Sequence, residues 1–299
     1  MSIEKPADKL ASHGRFAYRG INARPSYEWP NGRRLAVYVG LNLEHFSFGD
    51  GLGAELAPGG PQPDVLNYSW REYGNRVGVW RLLELFESLG WPLSVLANTS
   101  IYGHCPEVMD AFRARKDEVV AHGHTNSERQ GTMDEESERR LIAAVTEKIT
   151  QIEGRPPTGW LGPWISESIR TPDLLAEAGY AYVLDWCMDD QPVWLHARGG
   201  RRILSVPYPQ EVNDIPAIVA RKDRAADFAG MIIDNFDEML TQADKAPLVM
   251  GIALHPYVAG QPYRLRHLRR ALEHINRERA RIWVTTAGAI AAHAAPFAV

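Results

Sequence analysis

The chain of 299 residues contains little cysteine, no long apolar run and no excess of basic charge. Its two cysteines, Cys105 and Cys187, are too few for a disulfide framework and do not form a metal-binding pair. We expect both to be buried, reduced thiols. The longest apolar runs, such as residues 248–254, are much shorter than the roughly 18 residues that cross a bilayer, so we expect no membrane partner.

The charge distribution excludes a second class of partner. The sequence has 33 Lys and Arg against 37 Asp and Glu, and most of its positive residues are arginines scattered among acids. Nucleic-acid binding requires a concentrated basic face, so we expect no nucleic-acid partner. Residues 1–9 alternate in charge and lack the apolar core of a signal peptide, which favours a cytoplasmic location.

The remaining composition, 45% hydrophobic and 23% charged, is that of an ordinary globular protein. Residues 1–33 are polar and aperiodic, and we interpret them as an N-terminal arm that lies on the surface or on a partner subunit. Residues 34–299 are predicted to form one α/β domain, which opens with an apolar strand at residues 35–43. Further strands are predicted at 93–97, 118–121, 158–161, 181–184, 202–206, 247–254 and 281–284, and helices at 77–89, 106–115, 132–153, 172–178, 224–243, 265–279 and 287–294.

This alternation predicts a parallel sheet, which either stays open or closes into a barrel. Polar residues follow five predicted strands, namely Glu44, Asn98, His122, Asp185 and His255. Barrel enzymes collect their catalytic groups on that rim. An open nucleotide-binding sheet would place a glycine-rich loop after its first strand, and residues 42–46 contain no glycine, so the sequence favours a barrel.

Glu44 and His45 directly follow the first predicted strand, so their side chains should point to opposite sides of it. One would face the pocket as a base, and the other would face a metal or a supporting partner. A salt-linked surface pair is the alternative.

The segment from His122 to Glu128 offers several metal ligands within seven residues. In an extended chain His122 and His124 point the same way, and a turn could add Asn126 or Glu128. Such a mixed ligand set would indicate an open, catalytic or weak metal site. The alternative is a histidine that only forms hydrogen bonds inside the barrel.

His255 ends a long apolar strand and precedes Pro256, which favours an extended backbone at the histidine and directs its ring out of the rim. An imidazole in this position suits a general acid. The alternative is a core histidine with satisfied hydrogen bonds.

Acidic and aromatic residues on the rim are candidates for substrate binding. The segment 185–192 contains Asp185, Trp186 and Asp189, which could bind amide and hydroxyl groups, although a capped turn would explain them equally well. Trp160 and Trp164 lie on or beside another predicted rim loop, and aromatic rims favour flat or sugar-like ligands.

Taken in order, the segments 42–45, 118–126, 159–164, 185–192 and 254–256 resemble the polysaccharide deacetylase family. The likeness covers roughly residues 35–294. It is strongest to the branch that contains the metal-independent type of allantoinase and some peptidoglycan deacetylases, whose members are cytoplasmic and often tetrameric. The resemblance implies a distorted (β/α)7 barrel, a homo-oligomer and hydrolysis of a non-peptide carbon–nitrogen bond.

The resemblance also implies roles for single residues. The first family motif is a general base followed by a metal ligand, and these positions are Glu44 and His45 here. Of the two metal-binding histidines in the second motif, His122 matches the first and Asn126 replaces the second. His255 matches the catalytic histidine of the last motif.

Two departures from the family pattern bear on metal binding. The first is the altered ligand set, which consists of His45, His122 and Asn126, with His124 and Glu128 as candidate replacements for members of this set. The second is the missing arginine, which the family pattern places before Pro163. A divalent metal such as zinc would therefore bind at a weaker site, or the chemistry would proceed without metal. No organic cofactor is implied.

Our hypothesis is an amidohydrolase for a small N-acyl or ureide substrate, in which Glu44 is the general base and His255 the general acid. A metal or amide donors would stabilise the oxyanion. The alternatives are a cytoplasmic N-deacetylase of an amino sugar and a ligand-binding barrel that has lost catalysis, to which Asn126 and the missing arginine point.

Overall fold

The structure, a computed structural model, describes residues 12–49 and 53–299. The first eleven residues of the predicted arm lie outside these ranges. The strands are β1 (Leu35–Leu43), β2 (Ser94–Ala97), β3 (Glu118–Ala121), β4 (Gly159–Trp160), β5 (Tyr182–Val183), β6 (Val193–His196), β7 (Arg202–Ser205), β8 (Leu248–Leu254) and β9 (Ile282–Thr285). The helices are α1 (Val65–Tyr73), α2 (Val79–Leu89), α3 (Ile101–His104), α4 (Pro106–Arg115), α5 (Glu135–Glu153), α6 (Thr171–Glu177), α7 (Ala225–Gln242), α8 (Pro256–Ala259), α9 (Pro262–Arg277) and α10 (Ala287–Ala294).

The strands form one sheet in the order β6-β7-β5-β4-β3-β2-β1-β8, and β9 pairs with the first half of β1. All pairs are parallel except β6 with β7. The run from β8 through β1 to β7 is the wall of a barrel with seven parallel strands. Residues 206–213 cover the gap between β7 and β8, where Asn213 bridges Ala253. Pro207 and Pro209 cannot donate hydrogen bonds to a strand ladder, which explains why this part of the wall is irregular. The predicted distorted (β/α)7 barrel is confirmed.

The alternating pattern of β1 decides which side chains enter the barrel. All nine residues of β1 are buried, as predicted for a strand covered on both faces. Ala36 and Tyr38 belong to a core cluster inside the barrel, whereas Leu35, Val37 and Val39 pack in the larger cluster that includes the surrounding helices. Side chains alternate along a strand, so the even-numbered positions face the interior.

The local structure differs from the predicted elements in three places. The helix predicted at 132–153 begins later, because the N-cap of α5 is Asp134, whose carboxylate accepts a hydrogen bond from the Ser137 amide at 2.7 Å. Helix α1 was not predicted, because Val65 and Leu66 at its start are exposed and it follows a loop rich in Gly and Pro. The antiparallel strand β6 was also missed.

The expected burial of both thiols is also wrong. Both cysteines are free, but Cys187 is exposed and Cys105 is half-buried. Cys187 lies in the irregular segment between β5 and β6, which explains its exposure. None of the helices in the described ranges is both long enough and apolar enough to cross a membrane.

The last part of the predicted arm packs against the barrel. Trp29 is 1% exposed, and its indole nitrogen donates a hydrogen bond to the Leu248 carbonyl at 3.0 Å. The Tyr27 ring contacts Trp29 edge-on at a centroid distance of 5.0 Å and stacks on Phe297. Nearer the N-terminus, Arg15 pairs with Asp173.

We expect Trp29→Ala to lower the free energy of unfolding by about 3–5 kcal/mol, because it leaves a large cavity and removes the indole hydrogen bond to the Leu248 carbonyl. Urea denaturation monitored by circular dichroism measures the change. Trp80→Ala is the control, since that side chain is 42% exposed and should change stability by about 0.5 kcal/mol at most. Equal effects of the two substitutions would contradict the buried role of Trp29.

Candidate active site

Strand β1 positions Glu44 at the carboxyl end of the barrel. Glu44 continues the inward-facing series that includes Tyr38 and Asn42, and it is 7% exposed. Its Oε1 accepts a hydrogen bond from Asn126 Nδ2 at 2.5 Å, and its Oε2 accepts one from the Tyr257 hydroxyl at 2.6 Å. The carboxylate is therefore fixed in orientation by two neutral donors.

His255, the residue after β8, lies beside this carboxylate. Its Nε2 is 3.5 Å from Glu44 Oε1, and its Nδ1 is 2.6 Å from Asp214 Oδ1. The backbone amide of His255 also donates to Asp214 Oδ2 at 2.8 Å. Asp214 is fully buried, and it comes from the irregular segment after β7. The imidazole is thus held between two carboxylates.

These contacts set the charges in the site. Burial raises the pKa of the Glu44 carboxyl, but the neighbouring His255 and His122 outweigh it and hold this pKa below its usual value. Burial lowers the pKa of His255, but the charges of Asp214 and Glu44 outweigh it and raise the pKa to about 10. At neutral pH the site therefore contains a carboxylate, the form that accepts a proton, beside an imidazolium, the form that donates one.

His122 provides a second imidazole with a free nitrogen. Its Nδ1 lies 2.7 Å from the Leu161 carbonyl, which can only accept, so Nδ1 carries a hydrogen. Its Nε2 is buried, lies 3.7 Å from Glu44 Oε1 and has no hydrogen-bond partner among the described residues. A buried polar atom of this kind calls for a partner such as a water molecule or a substrate group.

A cavity of about 160 Å³ opens beside these groups. Its described lining includes no lysine or arginine. The lining residues are Asn42, Glu44, Phe46, Ala54, His122, Asn126, Leu161, Trp164, Ile165, Tyr208, Gln210, Asn213, Ile215, Pro216, His255 and Tyr257. The volume is below the roughly 300–1,000 Å³ of pockets for drug-sized ligands, so the cavity suits a small molecule. The lack of lysine and arginine in the described lining favours an uncharged one.

The predicted metal ligands do not come together in this cavity. Asn126 directs its amide nitrogen at Glu44, and its Oδ1, the atom that would bind a metal, accepts a hydrogen bond from Asn98 Nδ2 at 2.9 Å. The His45 ring does not line the cavity and stacks on His104 at a centroid distance of 4.1 Å. Of the predicted set, only His122 offers a free ligand atom to the cavity, so these residues do not fit a three-ligand metal centre.

The two substitute ligands do not complete such a centre. His124 is exposed, and its Nδ1 lies 3.0 Å from the Thr99 hydroxyl. Glu128 is half-buried and does not line the cavity.

Among the residues predicted to bind substrate, Trp164 lines the cavity. Its indole nitrogen donates a hydrogen bond to the backbone carbonyl of Asn126 at 2.8 Å, and its φ of 66° is unusual for a residue with a side chain. This backbone conformation places the Trp164 ring in the cavity wall.

The other four predicted residues lie behind or away from the cavity. The Trp160 ring is fully buried and donates a hydrogen bond to Gln130. Asp185 accepts a hydrogen bond from the Gly162 amide at 2.8 Å, and burial raises its pKa to about 7. Trp186 donates to Glu167, and Asp189 forms an ion pair with Arg24 at 2.5 Å.

Two residues of the site were missed by the sequence analysis. Tyr257 directly follows the segment 254–256, and its position two residues after His255 was an available signal. Asp214 follows Val212 and Asn213 in a segment without a regular period, and a single acid in such a loop carries no recognisable pattern.

We expect the His255 ring to stay charged through neutral pH and to lose its proton near pH 10, and Asp214→Asn to move this titration to lower pH. Because the folded pKa is above the ordinary 6.5, the stabilisation from these contacts is fully present below about pH 6.5 and lost as pH rises through about 10. Histidine-selective NMR measures the titration. Asp237→Asn, which removes the partner of the half-buried His274, is the control. An unchanged His255 titration in Asp214→Asn would refute this electrostatic account.

Comparisons with known proteins agree with this architecture. No model of a known protein family matches the chain. The chain is 28% identical over 295 residues to a Schizosaccharomyces pombe protein described as a polysaccharide deacetylase, with 88% of this chain and 91% of that protein covered. It is 25% identical over 245 residues to a peptidoglycan deacetylase of Helicobacter pylori, with coverage of 71% and 82%.

Solved structures give the same picture. The crystal structure of PuuE allantoinase is 27% identical with a TM-score of 0.80, and 94% of this chain and 98% of that chain are covered. A Pseudomonas aeruginosa protein described as a polysaccharide deacetylase has the same identity and coverage and a TM-score of 0.82. Relatives in sequence and in structure agree over nearly the whole barrel, and they support the resemblance of the chain to the polysaccharide deacetylase family.

Proposed function

We propose that the protein is a hydrolase of a non-peptide, amide-type carbon–nitrogen bond in a small, uncharged N-acyl or ureide substrate. The observation that carries the proposal is the approach of Glu44 Oε1 to His255 Nε2, at 3.5 Å, beside one cavity. A base and an acid in reach of the same small molecule are what hydrolysis of such a bond needs. The relatives named above, deacetylases and an allantoinase, support the same reaction class.

In this mechanism a water molecule in the cavity donates one hydrogen bond to Glu44 Oε1 and one to His122 Nε2, two atoms that are 3.7 Å apart. Glu44 takes a proton from the water as its oxygen attacks the substrate carbonyl carbon. The His255 imidazolium donates its Nε2 proton to the nitrogen as the carbon–nitrogen bond breaks. Transfer of the proton from Glu44 to His255 restores both groups, so one water is consumed and an acid and an amine are released.

The chain's own residues supply the stabilisation of the oxyanion in this proposal. The cationic His255 faces the developing negative charge, and the neutral amides of Gln210 and Asn213 line the same cavity. We assign no step to a metal, because Asn126 binds Glu44 with its amide nitrogen and His45 faces away from the cavity.

The substrate class follows from the cavity walls. Its small volume and the lack of lysine or arginine among its described lining residues favour an uncharged ureide or N-acyl compound. The Trp164 ring in the wall favours a second candidate, an N-acetylated amino sugar, because aromatic faces pack well on flat or ring-shaped ligands.

The proposal includes the wider organisation of the protein. We propose that residues 34–299 are the catalytic domain and residues 1–33 an arm, and that the protein is cytoplasmic and forms a homo-oligomer. Release of ammonia or acetate from a panel of ureides, amides and N-acetyl amino sugars identifies the substrate. Saturable binding of these compounds without any product would instead favour a ligand-binding barrel.

On the substrate that this panel identifies, we expect Glu44→Gln or His255→Ala to lower kcat by about 10²–10⁴-fold, because each substitution removes one proton-transfer group. Steady-state kinetics measures the loss, and circular dichroism verifies that the variants are folded. Glu84→Gln, at an exposed glutamate of α2, is the matched control and should retain full activity. A variant of Glu44 or His255 with an unchanged rate would remove that residue from the mechanism.

A further inference from the structure

A second group of chemically active side chains lies outside the cavity, around the His45 ring. His45 follows β1, Glu72 belongs to α1 and His104 is the last residue of α3. One ligand atom from each residue lies within 4.8 Å of the other two. His104 Nε2 is already 2.8 Å from Glu72 Oε2, and the two imidazole rings stack at a centroid distance of 4.1 Å with an angle of 15° between them.

The mechanism proposed above does not use this group. Glu44 and His45 leave the end of β1 on opposite sides, and only Glu44 lines the cavity. The backbone of His45 is held firmly, because its amide donates to Asn98 at 2.8 Å and its carbonyl accepts from the Asn126 amide at 3.0 Å. The ring therefore has a fixed attachment point beside Glu72 and His104.

The charges and hydrogen bonds of the group leave room for a cation. Among the described residues, Glu72 has an ion pair with His104 and none with a lysine or arginine. The His45 ring has no hydrogen bond within the same part of the chain. His45 is a half-buried imidazole and Glu72 a carboxylate without a lysine or arginine partner among the described residues, so both can act as metal ligands.

We propose that His45, Glu72 and His104 bind a divalent transition metal of the Zn²⁺ type, with a fourth coordination position open to solvent. Two imidazoles and one carboxylate suit Zn²⁺, whereas Ca²⁺ and Mg²⁺ prefer ligand sets made of oxygen. With bonds of about 2.0–2.2 Å, a tetrahedral site holds its ligand atoms roughly 3.3 Å apart. The present spacing therefore closes by about 1.5 Å at most. One of the two stacked rings must also turn, because the ligand electron pair of an imidazole lies in the ring plane, and His104, whose side chain is 31% exposed, has room for both movements.

A metal at this place joins three elements around the backbone that carries Glu44. It ties the end of β1 to α1 and α3, which lie far apart in the sequence. Because such an ion binds the folded chain more tightly than the unfolded chain, it raises the melting temperature. The expected effect of the ion is on stability, and the site is separate from the proton transfers proposed for the cavity.

The test is titration of Zn²⁺ alone into the full chain after removal of metal with a chelator, in competition with a chromophoric chelator. We expect one Zn²⁺ per chain and a higher melting temperature with zinc. His104→Ala and the nearly isosteric Glu72→Gln should each raise the Kd about tenfold or more and abolish the thermal shift.

Two controls make the result specific. His196→Ala removes an exposed histidine of β6, and His122→Ala removes the free imidazole of the cavity; both should keep the wild-type zinc affinity. The proposal is overturned if no saturable binding occurs up to about 100 µM Zn²⁺, or if His122→Ala loses the ion while His104→Ala keeps it. Because the readout is metal affinity, failure here leaves the hydrolase proposal to be judged separately by its own assay.

Discussion

The buried contact of the Glu44 carboxylate with the His255 imidazolium, supported from behind by Asp214, is the constraint on which the site depends. Removing three ionisable groups from water is costly unless they pair with one another. Here the imidazole lies 2.6 Å from one carboxylate and 3.5 Å from the other, and two neutral donors satisfy Glu44 further. The parallel register of β1 with β8, in which Leu41 pairs with Leu254, brings the two strand ends together. The barrel thus creates the pair through its neighbouring strands β1 and β8.

The same contact explains how the site differs from the metal-ligand pattern implied by the family resemblance. The side-chain oxygen Oδ1 of Asn126 would have to face the cavity to bind a metal, but it accepts a hydrogen bond from Asn98. The side-chain nitrogen Nδ2 of Asn126 faces Glu44 instead and donates a hydrogen bond that helps to hold the carboxylate. With His255 charged, the site already contains a cation beside the substrate cavity. In our account this cation and neutral donors stabilise charge that a metal would otherwise stabilise.

The sequence predicted the barrel and the two central residues of the site because strand patterns determine both. Glu44 and His255 each follow a long, fully apolar strand, and the carboxyl ends of parallel strands meet on one rim. Asp214 was not predictable in this way, because it reaches His255 from an irregular segment 41 residues away. Asp189 looked like a substrate ligand, yet its partner is Arg24, 165 residues distant and within a segment that has no periodic pattern. The orientations of the Asn126 amide and the His45 ring were not predictable for a similar reason, since they are decided by neighbours such as Asn98 and His104.

The central claim is that Glu44 and His255 act as one acid–base unit on a single carbon–nitrogen bond. A double-mutant cycle on kcat/KM, with Glu44→Gln, His255→Ala and the combined variant, measures this most directly. Residues that act as a unit are strongly non-additive, so the account predicts that the combined variant is about as slow as the slower single variant. Losses that multiply in the combined variant would mean that the two groups act independently, which would contradict the account.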